Sequence, residues 1–303
     1  MKTRGLVSTA DRTARGTSMA IHRYVASEST TFHRNFHWSR LLVILLLAMT
    51  TSCSSTGRDV KLVVVLGFDD SSADQVQVAR LLASHAMRAT FYVNSGLIAS
   101  SSYYMTWDEV QVLAADGNEI AGHTLTHRDL TKLAPDQQRH QICDDRKILI
   151  DHGFTPVSFA YPYGKSDASS ATIVRECGYT SGRTTGGLAT AYSCPAGCPE
   201  RPYVESVSPP DPFEMRAANL GPAELTLDSL QKVVGDAARR GPGLLPLYFH
   251  NVCDAPCPGG FGWVRPNTMV QFLDWLGNQE HQGVVVLTNG DAVRLNLEPT
   301  ELR

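Results

Sequence analysis

Carboxylate and imidazole side chains follow three separate apolar runs of this sequence. Asp69 and Asp70 follow the first run, His123 and His127 follow a later one, and His250 follows another near the C-terminus. Two imidazoles and one carboxylate can hold zinc or a similar divalent ion and leave a position open for water. A second carboxylate can then accept a proton from that water, and a further imidazole can protonate a leaving group. The residue types therefore fit a metal-dependent hydrolase.

Each of these features carries little information by itself. An Asp-Asp pair is usually a turn or a helix cap. A His-x-x-x-His pair is more often structural or solvated than metal-binding. The side chains form a site only if the fold brings them to one place, so the elements that carry them decide the question.

Strand-like and helix-like segments alternate from residue 61 onward. Short β-branched runs typical of buried parallel strands alternate with segments whose apolar residues recur at helical spacing, which predicts one barrel-like parallel α/β domain. In such barrels, catalytic residues lie just past the carboxyl ends of the strands. The predicted strands cover residues 61–68, 89–93, 118–122, 157–161, 244–249 and 283–287, and the predicted helices cover residues 73–87, 106–116, 137–152, 168–177, 226–240 and 268–277.

The first 52 residues differ from the rest in charge. The chain has 27 Lys and Arg against 30 Asp and Glu, but residues 1–52 hold seven of these bases and only two of the acids, so the remainder has a net charge of −8. This balance excludes a dedicated nucleic-acid binder, and an acidic domain is a poor match for anionic polymers.

An apolar run in this leader predicts export. Residues 41–49 form a run of nine residues between basic and small polar residues, whereas a bilayer-spanning helix needs about 20. This pattern predicts a signal peptide over residues 1–52. Cys53 then stands where bacterial lipoproteins are cleaved and lipidated, which predicts a lipid anchor to the membrane and a tether over residues 53–59. Because Thr50 departs from the lipoprotein pattern, ordinary signal cleavage is the alternative. We expect residues 60–298 to form the catalytic domain. We expect the protein to be a lipoprotein of the bacterial cell envelope, or to be secreted or periplasmic.

The six other cysteines suit an oxidising compartment. Cys194 and Cys198, like Cys253 and Cys257, are four positions apart. These pairs could close two local disulfides, cross-link two loops or form a four-thiolate zinc site. The export signal favours disulfides, and the pairing stays open.

Four motifs, in order, are similar to those of one family. The chain resembles the polysaccharide deacetylases, carbohydrate esterase family 4 with its NodB-homology domain, over residues 60–295. The motifs are Gly67-Phe68-Asp69-Asp70-Ser71, Gly122-His123-Thr124-Leu125-Thr126-His127, Phe159-Ala160-Tyr161-Pro162-Tyr163-Gly164 and Leu247-Tyr248-Phe249-His250.

The resemblance implies a fold and a role for each residue. The fold is a distorted (β/α) barrel of about seven parallel strands. The metal is Zn²⁺ or another divalent transition metal such as Co²⁺. The resemblance assigns the general base to Asp69, the metal ligands to Asp70, His123 and His127, the general acid to His250, and a backbone N–H that helps to hold an oxyanion to Tyr163.

One departure from the family pattern concerns the general base. Ala160 stands where many members have an arginine that steadies the base. Arg216 is a candidate to replace it from a later loop, and an ordinary surface charge is the alternative. Among the aromatic residues, Phe261 and Trp263 could stack on sugar rings, whereas Trp275 has the spacing of a core residue.

Three functions follow from the resemblance. The first is an exported, monomeric deacetylase acting on an N-acetylated polysaccharide such as chitin oligomers, peptidoglycan or poly-N-acetylglucosamine. The second is an esterase that removes O-acetyl groups, as from acetylxylan, with the same site. The third is an inactive glycan-binding surface lipoprotein, which the presence of both Asp69 and His250 disfavours.

Overall fold

The computed structural model describes residues 60–254, 257 and 261–295. The predicted signal peptide, Cys53 and the tether therefore lie outside the described residues, as do residues 296–298 of the predicted domain. Within the described ranges, no helix is both long enough and apolar enough to span a membrane.

Eight strands pair in parallel in one sheet. Seven of them follow the order β6-β5-β4-β3-β2-β1-β7, and the eighth pairs with the first half of β1. The strands are β1 (Leu62–Phe68), β2 (Thr90–Val93), β3 (Glu119–Gly122), β4 (Ser158–Ala160), β5 (Ser181–Gly187), β6 (Met215–Ala217), β7 (Gly243–Phe249) and β8 (Val284–Leu287).

The seven-strand path curves into a nearly closed barrel. Its two end strands meet where Ala218, the residue after β6, bridges Leu247 of β7 in the parallel sense. The backbone N–H of Ala218 donates to the Pro246 carbonyl at 2.9 Å. The prediction of a distorted barrel of about seven parallel strands is therefore confirmed.

The helices that the sequence predicts lie between the strands in the predicted chain order. Thr106, Asp167 and Thr226 cap three of them, each with a side chain that accepts a hydrogen bond from the third helical residue. The helices are α1 (Val76–Ser84), α2 (Trp107–Ala115), α3 (Pro135–Arg139), α4 (Asp145–Asp151), α5 (Ala168–Glu176), α6 (Leu227–Ala238), α7 (Pro266–Gly277) and α8 (Asn289–Arg294).

The central strand is buried along its whole length. Every residue of β1 is buried, and Phe68 at its end stacks between Phe91 and Phe249 with ring centroids 5.0 and 5.3 Å apart. Aromatic side chains packed in this way restrict the strand end. The acidic pair that follows Phe68 therefore starts from a rigid position.

The structure differs from the predicted elements in one helix and in three elements that were not predicted, β5, β6 and α8. The predicted helix over residues 137–152 is interrupted by a π-helical turn, His140–Asp144, which separates α3 from α4. Strand β5 was not predicted, because its sequence Ser-Gly-Arg-Thr-Thr-Gly-Gly contains no large apolar residue. Pairing with β4 and β6 makes this segment a strand despite its composition.

Three disulfides join the six cysteines of the described domain. Both pairs spaced by four close locally, Cys194 with Cys198 and Cys253 with Cys257. The third disulfide joins Cys143 of the π-helical turn to Cys177, the residue after α5. The preference for disulfides over a thiolate zinc site is thus confirmed, since no pair remains free to bind a metal.

Candidate active site

Strand register brings the predicted site residues to one end of the barrel. Phe68 of β1 pairs with Phe249 of β7, so Asp69 and His250 follow directly on neighbouring strands. In the same way Val93 of β2 pairs with Gly122 of β3, and the backbone N–H of His123 donates to the Val93 carbonyl at 2.9 Å. Because all the strands are parallel, their carboxyl ends share one edge.

Three acceptor atoms converge at this edge. Asp70 Oδ1 lies 3.3 Å from His123 Nε2 and 3.2 Å from His127 Nε2. His123 Nδ1 lies 2.7 Å from the Ala160 carbonyl oxygen, which can only accept, so Nδ1 carries a proton and Nε2 of a neutral ring faces Asp70 with its lone pair. Asp70 Oδ1 is buried and has no hydrogen-bond partner among the described residues.

Burial and the neighbouring charges shift the pKa values of all three side chains. Burial alone would raise the pKa of Asp70, but the neighbouring imidazoles, His123 first among them, hold it well below its usual range. Burial, aided by the neighbouring His123, lowers the pKa of His127 to about 4. Burial also opposes the charge of His123, yet Asp70 and Asp69 raise its pKa above the ordinary value.

This donor set fits a divalent metal ion. The ligand atoms of Asp70, His123 and His127 all lie within 4.8 Å of one another. A single proton can form a hydrogen bond between only two of these atoms. A divalent ion can be coordinated by all three at once. Nitrogen and oxygen ligands of this kind suit zinc and its transition-metal neighbours.

Backbone strain is concentrated around the cluster. Asp70, Ser71, Thr124, His127 and Tyr163 all have positive φ angles, between 54° and 71°. Only two other described residues that are not glycine share this conformation. Non-glycine residues are seldom held in this region, and such strain is common at functional sites. The turns after β1, β3 and β4 therefore owe their shape to the surrounding packing.

Asp69 is paired with an arginine that sequence reasoning missed. The Arg183 guanidinium of β5 donates to Asp69 Oδ1, and both side chains are buried. The guanidinium also lies over the Tyr92 ring, 4.3 Å from its centroid, and 5.2 Å from that of Tyr248. In the strand register Arg183 pairs with Ala160, so its side chain comes from the strand beside the position where the family carries its arginine.

The prediction that Arg216 steadies the base is wrong. Its Nε and Nη2 atoms donate to the carboxylate of Glu205 at 2.9 and 2.6 Å, and its backbone N–H donates to the same carboxylate at 2.8 Å. Arg216 lies on β6, one strand beyond Arg183. Its guanidinium is hydrogen-bonded to Glu205. The arginine that contacts Asp69 is Arg183.

Gln75 links the two strand ends that carry the predicted base and acid. Its side-chain amide donates to the backbone carbonyl of Asp69 and, at 2.6 Å, to that of His250. Gln75 is fully buried. The sequence placed it in a predicted helix, and only the tertiary structure shows that it fixes the spacing between the two segments.

His250 lies beside the acceptor cluster. Its Nε2 atom is 3.9 Å from Asp70 Oδ2, and the Phe261 ring packs edge-on against the imidazole at 5.4 Å. His250 Nδ1 is buried without a hydrogen-bond partner among the described residues. The ring is therefore placed by packing, with Nε2 as the atom nearest to the cluster.

Tyr163 forms one wall of the site. It lies in a single 3₁₀ turn, Pro162–Gly164, and its ring packs edge-on against His127 with centroids 4.6 Å apart. The turn therefore brings the Tyr163 ring beside a predicted metal ligand. The role of its N–H in holding an oxyanion stays a prediction.

One cavity contains the whole set. Its volume is about 410 Å³, and Asp69, Asp70, His123, His127, Tyr163 and His250 all line it. Of the two aromatic residues predicted to stack on sugar rings, Phe261 also lines the cavity, whereas Trp263 is not among its lining residues. Trp275 packs against the core beside Phe272, in agreement with its helical spacing. The cavity could hold a small polar group together with part of a ring-shaped substrate.

Comparison with known families supports this reading of the motifs. Residues 56–182 match the family model described as polysaccharide deacetylase. The match includes Asp69, Asp70, His123, His127 and Tyr163. It ends one residue before Arg183, and His250 lies beyond it.

Individual relatives cover part of the chain. The chain is 29% identical over 125 residues to YxkH of Bacillus subtilis strain 168, a match spanning 40% of this chain and 44% of that protein. It is 31% identical over 121 residues to a chitin deacetylase of Colletotrichum lindemuthianum, spanning 38% and 48% of the two chains. The matches thus span about half the length of these curated relatives or less.

Solved structures are also similar to this chain. The Bc1960 peptidoglycan N-acetylglucosamine deacetylase is 16% identical, with a TM-score of 0.49 over 76% of this chain and 92% of that chain.

Proposed function

We propose that the protein, whose residues 56–182 match the polysaccharide deacetylase family model, is a metal-dependent hydrolase that removes acetyl groups from N-acetylated polysaccharides. One observation carries the proposal: three acceptor atoms that require a cation converge in a cavity that also holds a buried carboxylate and an imidazole. That combination supplies a metal site, a base and an acid at one place.

The metal would act as a Lewis acid on the acetyl carbonyl and on a water molecule. A divalent ion such as Zn²⁺ or Co²⁺, held by Asp70, His123 and His127, would polarise the acetyl carbonyl and lower the pKa of a water molecule. His123 is oriented for this task by its bond to the Ala160 carbonyl, which fixes Nε2 as the coordinating atom.

The residues around the ion would move the protons. Asp69, oriented by Arg183, accepts a proton from the water that attacks the acetyl carbon. As negative charge develops on the carbonyl oxygen, the Tyr163 N–H donates to it, a contribution of about 3 kcal/mol for one well-placed donor. His250 protonates the nitrogen as the carbon–nitrogen bond breaks, because an amine anion is too basic to leave. The products are acetate and a free amine.

The substrate proposed is a glycan whose sugars carry N-acetyl groups. One relative is named a chitin deacetylase, and another, from Rhizobium leguminosarum bv. trifolii, is named a chitooligosaccharide deacetylase. These names support chitin oligomers, peptidoglycan or poly-N-acetylglucosamine as candidates. The cavity is open to large substrates, since Tyr163 and Phe261 at its mouth are exposed.

The proposal is tested by acetate release from a panel of polymers. Chitin oligomers, peptidoglycan, poly-N-acetylglucosamine and acetylxylan are incubated with metal-stripped protein before and after Zn²⁺ is restored. We expect release from an N-acetylated polymer only when metal is present. Release from acetylxylan alone would favour the O-acetyl esterase, and binding without release would favour an inactive glycan-binding protein.

Two variants separate the metal site from the base. Asp69→Asn should retain bound zinc and lose nearly all acetate release, whereas His127→Ala should lose the zinc itself. Metal content is measured by elemental analysis beside the rate. Full activity of Asp69→Asn, or of the metal-stripped protein, would contradict the mechanism.

We also propose that the protein is exported as a monomer and anchored by lipid on Cys53. Support comes from the leader pattern and from the three disulfides, which suit an oxidising compartment. Mass spectrometry of the mature N-terminus in a bacterial host tests the anchor. An unmodified N-terminus at another residue would show ordinary cleavage instead.

A further inference from the structure

A second depression adjoins the active-site cavity. It has a volume of about 310 Å³ and shares two lining residues with that cavity, His127 and Tyr163. Its other lining residues are Arg128, Asp129, Lys132 and Lys165. We call it the basic depression.

The basic depression is lined by more positive than negative side chains. Asp129 is its one carboxylate, and Asp129 Oδ2 lies 2.9 Å from Lys165 Nζ and 3.7 Å from Lys132 Nζ. Arg128 is exposed and has no carboxylate partner among the described residues. Three cations therefore face one anion, in a chain whose residues after position 52 carry a net charge of −8.

Asp129 holds the two lysines in place without neutralising them both. Its carboxylate also accepts hydrogen bonds from the backbone and side chain of Thr131, at 3.2 and 2.7 Å, so it is fixed at the start of a 3₁₀ turn. The side chains of Lys132 and Lys165 remain 75% and 53% exposed. Their ammonium groups can therefore still bind an anion from solution.

Tyr163 and His127 lie at the boundary that the basic depression shares with the active-site cavity. The Tyr163 ring packs against His127 on one side. Lys165 Nζ lies 5.8 Å from the centroid of the same ring. A glycan that places an acetyl group beside His127 would also lie beside Tyr163, because the two rings pack against each other. Substituents on the same or the neighbouring sugar then meet the cations.

We propose that Arg128, Lys132 and Lys165 bind a carboxylate of the glycan, so that the substrate is an N-acetylated glycan that also carries carboxylate groups. This inference rests on the proposed deacetylase function and narrows its substrate class. It also replaces the expectation, drawn from the acidic average of the domain, that anionic polymers are a poor match. Charges within a Debye length of about 10 Å act on a bound substrate more strongly than the net charge of the whole domain, because salt screens the more distant charges.

The test compares two substrates that differ only in charge. An N-acetylated oligosaccharide with carboxylate substituents is assayed beside its methyl ester, which has the same sugars and nearly the same size. We expect kcat/KM for the acid to exceed that for the ester on the order of tenfold at low ionic strength, since each exposed ion pair contributes up to about fivefold. The ratio should fall toward one as salt screens the charges.

Variants assign the preference to the basic depression. Arg128→Gln and Lys165→Gln should each lower the acid-to-ester ratio, and Arg128→Lys, which keeps the charge, should largely restore it. Lys147→Gln is the matched control, because Lys147 is an exposed lysine on α4 that pairs with Asp151 away from this depression. It should leave the ratio unchanged.

Binding measurements keep the two proposals distinguishable. The dissociation constants of the acid and the ester are measured by calorimetry alongside the rates. Equal affinities and equal rates would overturn the carboxylate site while leaving the deacetylase intact. Acetate release from neither compound and from no polymer of the panel would overturn the deacetylase. The ratio of dissociation constants would still decide the carboxylate site.

Discussion

At the scale of single residues, the site depends on one buried ion pair. Asp69 and Arg183 are both almost fully buried, and each is the other's only charged partner at hydrogen-bond distance among the described residues. Removing one member of such a pair leaves an uncompensated charge in a poorly solvated place. Arg183 contacts Asp69, the proposed base, and is not among the residues that line the cavity, so its proposed role is to position Asp69.

Substituting Arg183 should affect both activity and stability. For Arg183→Met we expect a fall in kcat of about 100-fold or more, because misplacing a catalytic group by even a small distance is costly. The free energy of unfolding should fall by about 3–5 kcal/mol, as it does when other buried ion pairs lose one partner. Urea unfolding and acetate release measure the two effects, and zinc content should not change.

A second substitution separates the charge effect from a packing effect. In the Asp69→Asn background, Arg183→Met should cost less stability than in the wild type, since the carboxylate that it leaves unpaired is gone. Equal losses in the two backgrounds would mean that Arg183 acts only through its contacts with Tyr92 and Tyr248.

At the scale of elements, the closing edge of the barrel depends on Glu205. Its backbone exchanges hydrogen bonds with Leu244 at the start of β7, at 2.7 and 2.8 Å. Its buried carboxylate accepts from the backbone and guanidinium of Arg216 on β6. Glu205 thus ties β6 to β7 near the bridge between Ala218 and Leu247, and this is the role that the structure assigns to the Arg216 contact.

The pH dependence of this tie can be predicted. Burial alone would raise the pKa of Glu205, but the hydrogen bonds from Arg216 and Ser206 outweigh it and lower the pKa below its ordinary value. A carboxyl group with a lowered pKa contributes stability above the pKa of the unfolded chain, near 4.5, and that contribution is lost as the pH falls through the folded value.

Glu205→Gln should therefore be less stable than the wild type by about 2 kcal/mol near neutral pH. The difference should shrink as the pH falls below 4.5, since the wild-type carboxylate is then protonated. Chemical denaturation between pH 3 and pH 7 measures it. A difference that stays constant over this range would show that charge does not contribute.

At the scale of the whole domain, the disulfides differ in what they constrain. The Cys143–Cys177 bridge closes a loop of 34 residues and connects the π-helical turn to the end of α5. The other two bridges close loops of only four residues, in the segments that follow β5 and β7. In the chain-entropy account, the longer loop removes more freedom from the unfolded chain.

Loss of the long-range bridge should destabilise the domain most. Replacing Cys143 and Cys177 together by alanine should lower the free energy of unfolding by about 4 kcal/mol, against about 2 kcal/mol for Cys194 and Cys198. Denaturation of the two double variants under non-reducing conditions provides the comparison. The reverse order would contradict the entropic account for this protein.

The sequence by itself determined the parts of this protein that are local or periodic. Alternating strand and helix patterns predicted most elements and the barrel class, and the motifs predicted which side chains stand at the strand ends. Such features survive in a sequence because each depends on near neighbours or on a short repeat. Asp69, Asp70, His123, His127, Tyr163 and His250 were all identified in this way.

Only the tertiary structure decided which distant groups meet. Arg183 lies on a strand without an apolar pattern, and its partner Asp69 is 114 positions away. Gln75 looked like an ordinary helical residue, and the charges of the basic depression come from two separate loops. Arg216 was the wrong choice for the same reason: strand register, which depends on the packing of the whole barrel, selects the guanidinium that reaches the base.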